Sequence, residues 1–155
     1  MRLTAMTDYA LRLLIYVGRQ QPDRLCTIAE VALAHGLSET HLMKITHQLA
    51  LAGWLQTVRG KGGGMRLARP ADQINLGAVV RSIEPDFQLV DCLGDDDDAC
   101  RLSGGCKLTG VFRSALQAFL AELDAHTLAD VLPVSRAAWA RVTLPVRERE
   151  RDGVR

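Results

Sequence analysis

Residues 27–69 read TIAEVALAHGLSETHLMKITHQLALAGWLQTVRGKGGGMRLAR. Thr27 is placed to cap a helix, and Glu30 stands three residues on, the spacing of a capping box. Ile28, Val31 and Ala32 then supply a short apolar helical face. The tetrapeptide His35-Gly36-Leu37-Ser38 breaks that helix, and Ser38 is a cap for a second one. Leu42, Ile45, Leu49 and Ala52 mark the buried side of the second helix, and Gly53 ends it. Two short helices joined by a tight glycine-containing turn form a helix-turn-helix pattern. Residues 54–58 read as a strand, residues 59–64 as a glycine-rich loop, and residues 65–68 as a returning strand. A β-hairpin directly after a helix-turn-helix is a wing. The expected fold is therefore mainly α with a small β wing.

Outward from this unit, residues 2–18 carry Leu3, Met6, Ala10, Leu13, Leu14 and Val17 at helical spacing, with Gly18 at the end. Residues 74–83 form a further short helix that stops before Pro85. Residues 85–107 have little periodicity and hold three cysteines. Residues 108–123 bear a wide stripe of Leu108, Val111, Phe112, Ala115, Leu116, Phe119, Leu120 and Leu123. One small domain does not cover so wide a stripe, so this long C-terminal helix is expected to join two copies of the chain as a homodimer. The expected organisation is a winged helix-turn-helix domain over 1–84 and a cysteine loop over 85–107. A dimerisation region over 108–132 and a charged tail over 133–155 follow.

The second helix of the motif would read DNA. Such helices present polar and basic side chains from their first turns to base edges and phosphates. Here these are Ser38, Thr40, His41 and Lys44, the last three on the face opposite Leu42, Ile45 and Leu49. In the wing, Gly62, Gly63 and Gly64 remove side chains where the backbone could approach a ligand closely. Arg59, Lys61 and Arg66 surround them, which suits a phosphate backbone or a minor groove. The glycine run is no nucleotide-binding loop, because no Gly-Lys-Ser/Thr ending or helix follows it.

The charges are segregated. The chain of 155 residues has a formal net charge of +1. Yet residues 59–69 hold four cations and no anion, and residues 91–98 hold five anions and no cation. The basic segment could meet nucleic acid, and the acidic one would avoid it. No apolar run is long enough to span a membrane. The first residues read as a helix with Asp8 and Arg12 in its pattern, not as a cleaved leader. A cytoplasmic protein is expected. No paired nucleophile and base accompany these features, so an enzyme is not expected.

Three of the four cysteines cluster at Cys92, Cys100 and Cys106, and Cys26 stands alone. In a cytosolic chain a cluster reads as metal-binding or redox-active. The spacing has no C-x2-C pair and no adjacent histidine, which departs from common zinc fingers. Three thiolates can hold three irons of a cubane, leaving one iron for another ligand. Zinc with three thiolates and one oxygen or nitrogen donor is also chemically acceptable. Gly94, Gly104 and Gly105 would let the loop wrap closely. Cys26 reads as a small packed residue, and His35 and His41 as packing or DNA-contact residues.

Three stretches together carry a family likeness: residues 1–12 (MRLTAMTDYALR), residues 59–69 (RGKGGGMRLAR) and the three-cysteine loop. Over roughly residues 1–132 the chain resembles the NsrR-type nitric-oxide-sensing repressors. These belong to the bacterial winged-helix regulators that include IscR. The resemblance implies a homodimer joined by the helix after the loop, and a palindromic double-stranded operator. It implies an iron–sulfur cluster on Cys92, Cys100 and Cys106, of 4Fe–4S type, with 2Fe–2S as the alternative. It also implies a carboxylate ligand from the partner subunit's first helix; Asp8 matches that position, and Arg12, one turn on, could pair with it. A first-turn aspartate is also favoured by the helix dipole alone. IscR-type members carry a histidine three residues after the last cysteine; Thr109 stands there. The Cys92–Cys100 interval is longer than that family's pattern, with Asp95 to Asp98 filling the excess.

Overall fold

The computed structural model describes residues 2–21, 23–90, 93 and 106–132. The first helix, α1, spans Ala5–Gly18, with Thr7, Ala10, Leu13, Leu14 and Val17 buried at spacings of three and four residues. It starts later than the apolar pattern suggests. Thr4 takes extended geometry and its hydroxyl accepts from the Thr7 amide at 3.3 Å, which sets the first turn.

Helix α2 spans Ile28–His35. The expected capping box is present: the Thr27 amide donates to Glu30 Oε2 at 2.7 Å, and the Glu30 amide donates to Thr27 Oγ1 at 3.2 Å. Gly36 ends α2 in the left-handed region, with φ 63°. Helix α3 spans Glu39–Leu51, with Leu42, Ile45, Thr46 and Leu49 buried. Ser38 is its N-cap residue but makes no side-chain capping bond.

Strands β1 (Leu55–Val58) and β2 (Gly64–Leu67) pair antiparallel, with Leu55 opposite Leu67 and Val58 opposite Gly64. A third short element joins them. Cys26 pairs with Met65: its amide donates to Met65 O at 2.9 Å, and its carbonyl oxygen accepts from the Met65 amide at 2.8 Å. The wing is thereby tied to the loop before α2.

A 3₁₀ turn at Ala71–Gln73 precedes α4, Leu76–Ile83. The helix expected from Ile74 begins at Leu76 because Asn75 caps it, its Oδ1 accepting from the Ala78 amide at 2.9 Å. Ile74 is still buried, as a core residue ahead of the cap. Helix α5 spans Lys107–Asp124 and α6 spans Leu128–Val131.

One core joins Leu13, Leu14, Leu42, Ile45, Leu49, Met65, Ile74, Val79 and Leu128. Leu128 and the half-buried Leu132 seat against α1, where Gly18 leaves room: a β-carbon there would lie 3.2 Å from Leu132 Cδ2. Residues 108–132, expected as one region, therefore divide in their packing. Their last turn belongs to the winged-domain core, and α5 is the part that stands off it.

Candidate functional site

Helix α3 is held so that one face is sealed and the other open. Leu42, Ile45 and Leu49 lie at 0, 2 and 0 % exposure, while Thr40, His41 and Lys44 face solvent. Ser38 is also exposed, and its hydroxyl is not used for capping. Met43, His47 and Gln48 share the open side, and Met43 is 52 % exposed. Sequence reasoning missed these three. Their signal was the same helical periodicity that placed Lys44 outward.

At the wing tip Arg59 and Lys61 are exposed. Gly60 and Gly62 have φ of 100° and 79°, and the Gly63 amide donates to Gly60 O at 2.9 Å, closing the turn. A β-carbon at Gly62 would meet open space. The cause differs at the next two glycines. A β-carbon at Gly63 would collide with the Val58 carbonyl oxygen, and one at Gly64 would lie 2.6 Å from the Cys26 carbonyl oxygen. The hairpin's own close packing thus demands glycine at these two positions, whatever approaches from outside. Arg66 is half-buried, and its Nε donates to Gln56 Oε1 on the paired strand at 2.9 Å. The basic reach of the tip itself comes from Arg59 and Lys61.

Of the three clustered cysteines, Cys92 and Cys100 lie outside the described residues, as do Gly94, Gly104 and Gly105. Cys106 is the N-cap residue of α5, half-buried, with no side-chain capping bond. Its sulfur is a soft donor standing at the N-terminal end of this 18-residue helix. That fits a soft metal ligand. Cys26, in contrast, is fully buried, and burial pushes its thiol pKa up. It is the packed residue expected.

Asp8 lies in the first turn of α1 and is paired as anticipated, with Arg12 Nη2 at 2.8 Å from Oδ2 and Nε at 3.0 Å from Oδ1. Both side chains remain close to half exposed, so the carboxylate is accessible from outside the chain. Among the described residues, no three His, Cys, Asp or Glu side chains of one chain converge as a metal site. The start of α1 is fixed to the segment that leads to Cys92: the Thr4 amide donates to Glu84 Oε1 at 2.7 Å. Leu3, Pro85, Phe87, Leu116 and Phe119 line a hollow of about 170 Å³ between the residues just before α1, this segment and α5.

Helix α5 links the cysteine segment to the winged domain. Among the described residues it has no fully buried side chain, and Leu108 and Val111 are 54 and 61 % exposed. Its far end is bonded to α4. Arg81 Nη1 donates to Asp124 Oδ2 at 3.2 Å, and Asn75 Nδ2 donates to Asp124 O at 2.7 Å. Gly77 is what allows this seat, because a β-carbon there would collide with Asp124 Oδ1. The Leu76 amide to His126 O (3.0 Å) and the Leu128 amide to Ile74 O (2.7 Å) complete the junction.

A helix-turn-helix with an outward polar face, a wing with a basic tip and a cysteine-bearing helix anchored to them define a winged-helix DNA-binding regulator. The solved structures agree on the fold. CymR, the global cysteine regulator of B. subtilis, superposes with a TM-score of 0.69 at 24% identity, covering 84% of this chain and 95% of that one. IscR of T. potens gives 0.67 at 22%, covering 84% and 85%. The Rrf2 family profile, described as iron-dependent transcriptional regulator, matches residues 3–133, and the chain belongs to that family. Curated relatives narrow the likeness. The HTH-type transcriptional regulators NsrR of Halalkalibacterium halodurans and of Bacillus subtilis are each 42% identical over 132 residues, 85% of this chain and 90% of theirs. Their regulator names match the expectation of a non-enzymatic protein. Among the described residues, no helix is long and apolar enough to cross a membrane.

Proposed function

We propose that the chain is a cytoplasmic, homodimeric transcriptional repressor that releases a palindromic operator in response to nitric oxide. In this reading Cys92, Cys100 and Cys106 hold a 4Fe–4S cluster, and Asp8 of the partner subunit completes it. The chemistry of the donors supports the assignment: soft thiolates for iron, one of them at a helix N-terminus, and an accessible carboxylate on α1. When bound, the cluster supplies the iron with which nitric oxide reacts.

Helix α5 carries this proposal. It follows directly on Cys106, leaves Leu108 and Val111 of its apolar stripe exposed for a second copy, and ends on α4 through Asp124, Asn75 and Arg81. A change in how Cys106 is held would therefore move a rigid rod whose other end is fixed to the DNA-binding unit. In the dimer, Asp8 ties the partner's cysteine loop to α1, so that the two copies of α3 keep a set separation. Two recognition helices fit two half-sites one DNA turn apart only at the correct separation. Loss of the tie lets them move, which is coupling between two distinct sites through a two-state element. Ser38, Thr40, His41 and Lys44 of α3 face the bases. Arg59, Lys61, Gly62, Gly63 and Arg66 form the wing side of the interface.

The test begins with protein purified without oxygen. Iron and sulfide analysis should give about four irons per chain with a brown 4Fe–4S spectrum. Nitric oxide titration should then bleach the colour and abolish operator binding together. Cys100→Ala should be colourless yet remain a folded dimer. About two irons per chain would indicate a 2Fe–2S sensor, and zinc alone would remove the sensing role. Retained operator affinity after complete bleaching would refute the coupling.

A further inference from the structure

A second basic feature lies away from the wing tip. An open groove of about 560 Å³ runs between the C-terminal end of α1 and strand β2, within the size range of small-ligand sites. Among the described residues its charged lining is Arg24, Arg66 and Arg69, with no carboxylate. Arg69 and its neighbours sit where Leu55 pairs with Leu67, the base of the hairpin. The tip lies beyond the opposite end, where Val58 pairs with Gly64. Three residue steps along a strand are about 10 Å. The contacts assigned to α3 and to the tip residues Arg59 and Lys61 therefore do not account for Arg24 and Arg69, and Arg66 is shared between the wing side of the DNA interface and this groove.

The hydrogen bonding sharpens the chemistry. Gln56 Oε1 is taken by Arg66 Nε, which leaves the Gln56 amide nitrogen and both Arg66 terminal nitrogens as donors. Gln20 Oε1 is taken by Arg24, whose other terminal nitrogen binds Glu30 Oε1 at 2.7 Å. Arg69 is held in place from two sides. Its Nη2 donates to Gly53 O at 3.1 Å, and its guanidinium lies 5.0 Å from the Trp54 ring centroid. The two glutamine acceptors are thus engaged within the protein, and the Gln20 amide nitrogen donates to Tyr16 O at 3.3 Å, while the Gln56 amide and the Arg66 guanidinium keep donors for a ligand. Fixed guanidinium forks of this kind match the oxygen geometry of phosphate.

We infer that this groove is a phosphate-binding site, with Arg66, Arg69 and Gln56 as its principal donors and Arg24 at its edge. Its volume admits a ligand larger than one inorganic ion, so it fits a small phosphate-bearing metabolite. The same chemistry could be supplied by the phosphates of a duplex extending past the operator. The inference does not require the cluster reading. It stands apart from nitric oxide sensing.

The test is calorimetric titration of the 155-residue protein with pyrophosphate at fixed ionic strength, for wild type, Arg69→Gln and Arg66→Gln. Saturable binding weakened tenfold or more in both variants supports the site. Melting of each variant without ligand separates loss of binding from loss of fold; if Arg69→Gln melts early, Arg66→Gln carries the comparison. Absence of saturable binding by the wild type, or equal binding by all three proteins, overturns it. Fluorescence anisotropy with duplexes of increasing length distinguishes the source. For a metabolite, pyrophosphate binds equally with and without a minimal operator duplex. For flanking DNA, longer duplexes gain affinity and pyrophosphate competes that gain away. Failure of any duplex to bind would refute the DNA-binding assignment while leaving the pyrophosphate result intact.

Discussion

Gly64→Ala isolates the reason for the glycine run in the wing. The added β-carbon would lie 2.6 Å from Cys26 O, 3.1 Å from the Cys26 carbonyl carbon and 3.1 Å from Leu25 Cβ. The first two are backbone atoms, so no side chain can rotate away. Relief requires β2 to move off the residue-26 segment, which strains the two bonds of 2.9 and 2.8 Å between Cys26 and Met65. Overpacking costs roughly 1–3 kcal/mol, and each weakened hydrogen bond up to about 1 kcal/mol. The lower entropy of the unfolded chain returns about 0.5 kcal/mol. The net loss should be roughly 2 kcal/mol. In urea, with a slope near 2 kcal/mol/M, the midpoint should fall by roughly 1 M at fixed protein concentration. Gly62→Ala is the control. It faces open space but has φ 79°, so it should cost only the left-handed penalty, about 1 kcal/mol. A Gly64→Ala protein that unfolds with the wild type but loses DNA would rule out backbone packing as the cause. The glycine would then be there for an approaching duplex.

Lys61→Ala should weaken binding to all duplex sequences alike and reduce the slope of log K against log salt by about 1, as for one lost phosphate contact; a change in base preference alone would contradict the wing assignment. Val111→Asp places a charge on the open stripe of α5, and sedimentation should show monomers at micromolar concentration with unchanged helical content by circular dichroism. An intact Val111→Asp dimer would move the interface elsewhere. His35 packs edge-on against Tyr16 at 5.9 Å, and burial first, then Arg12 and Arg19, hold its pKa below the ordinary 6.5. The folded state thus binds that proton less readily than the unfolded one. Stability from neutral His35 is present above about pH 6.5 and declines as pH falls through the unfolded value toward the folded one. His35→Gln should flatten the urea midpoint over that window, and an unchanged profile would assign the acid sensitivity to other groups.

Much of the DNA-binding unit was legible because its signals are local. The Thr27–Glu30 box, the left-handed Gly36 and the alternation of Leu42, Ile45 and Leu49 with Thr40, His41 and Lys44 each involve residues within one or two helical turns. A hydrogen bond from residue i to i+3, or a periodicity of 3.6, is written directly in the order of side chains. The Asp8–Arg12 pair is legible for the same reason. The open face of α3 was only partly read. Met43 counts as apolar by type, yet the helix points it outward with His47 and Gln48.

Other features are decided by residues distant in sequence. Cys26 becomes the third element of the wing by pairing with Met65, and that pairing is what requires glycine at position 64. Gly77 looks like a weak helix residue until Asp124 is seated against it, bonded to Arg81 and Asn75. Arg66 faces Gln56 through strand register, and Arg24 and Arg69 join it only when the end of α1 packs beside β2. The helices, the Thr27–Glu30 cap and the hairpin are written in the order of the residues, because short-range bonding and apolar periodicity suffice for these. Which glycines make room for the protein's own backbone, how α5 is anchored and where the arginines gather emerge only on packing, because contacts between distant segments leave no periodic trace in the chain.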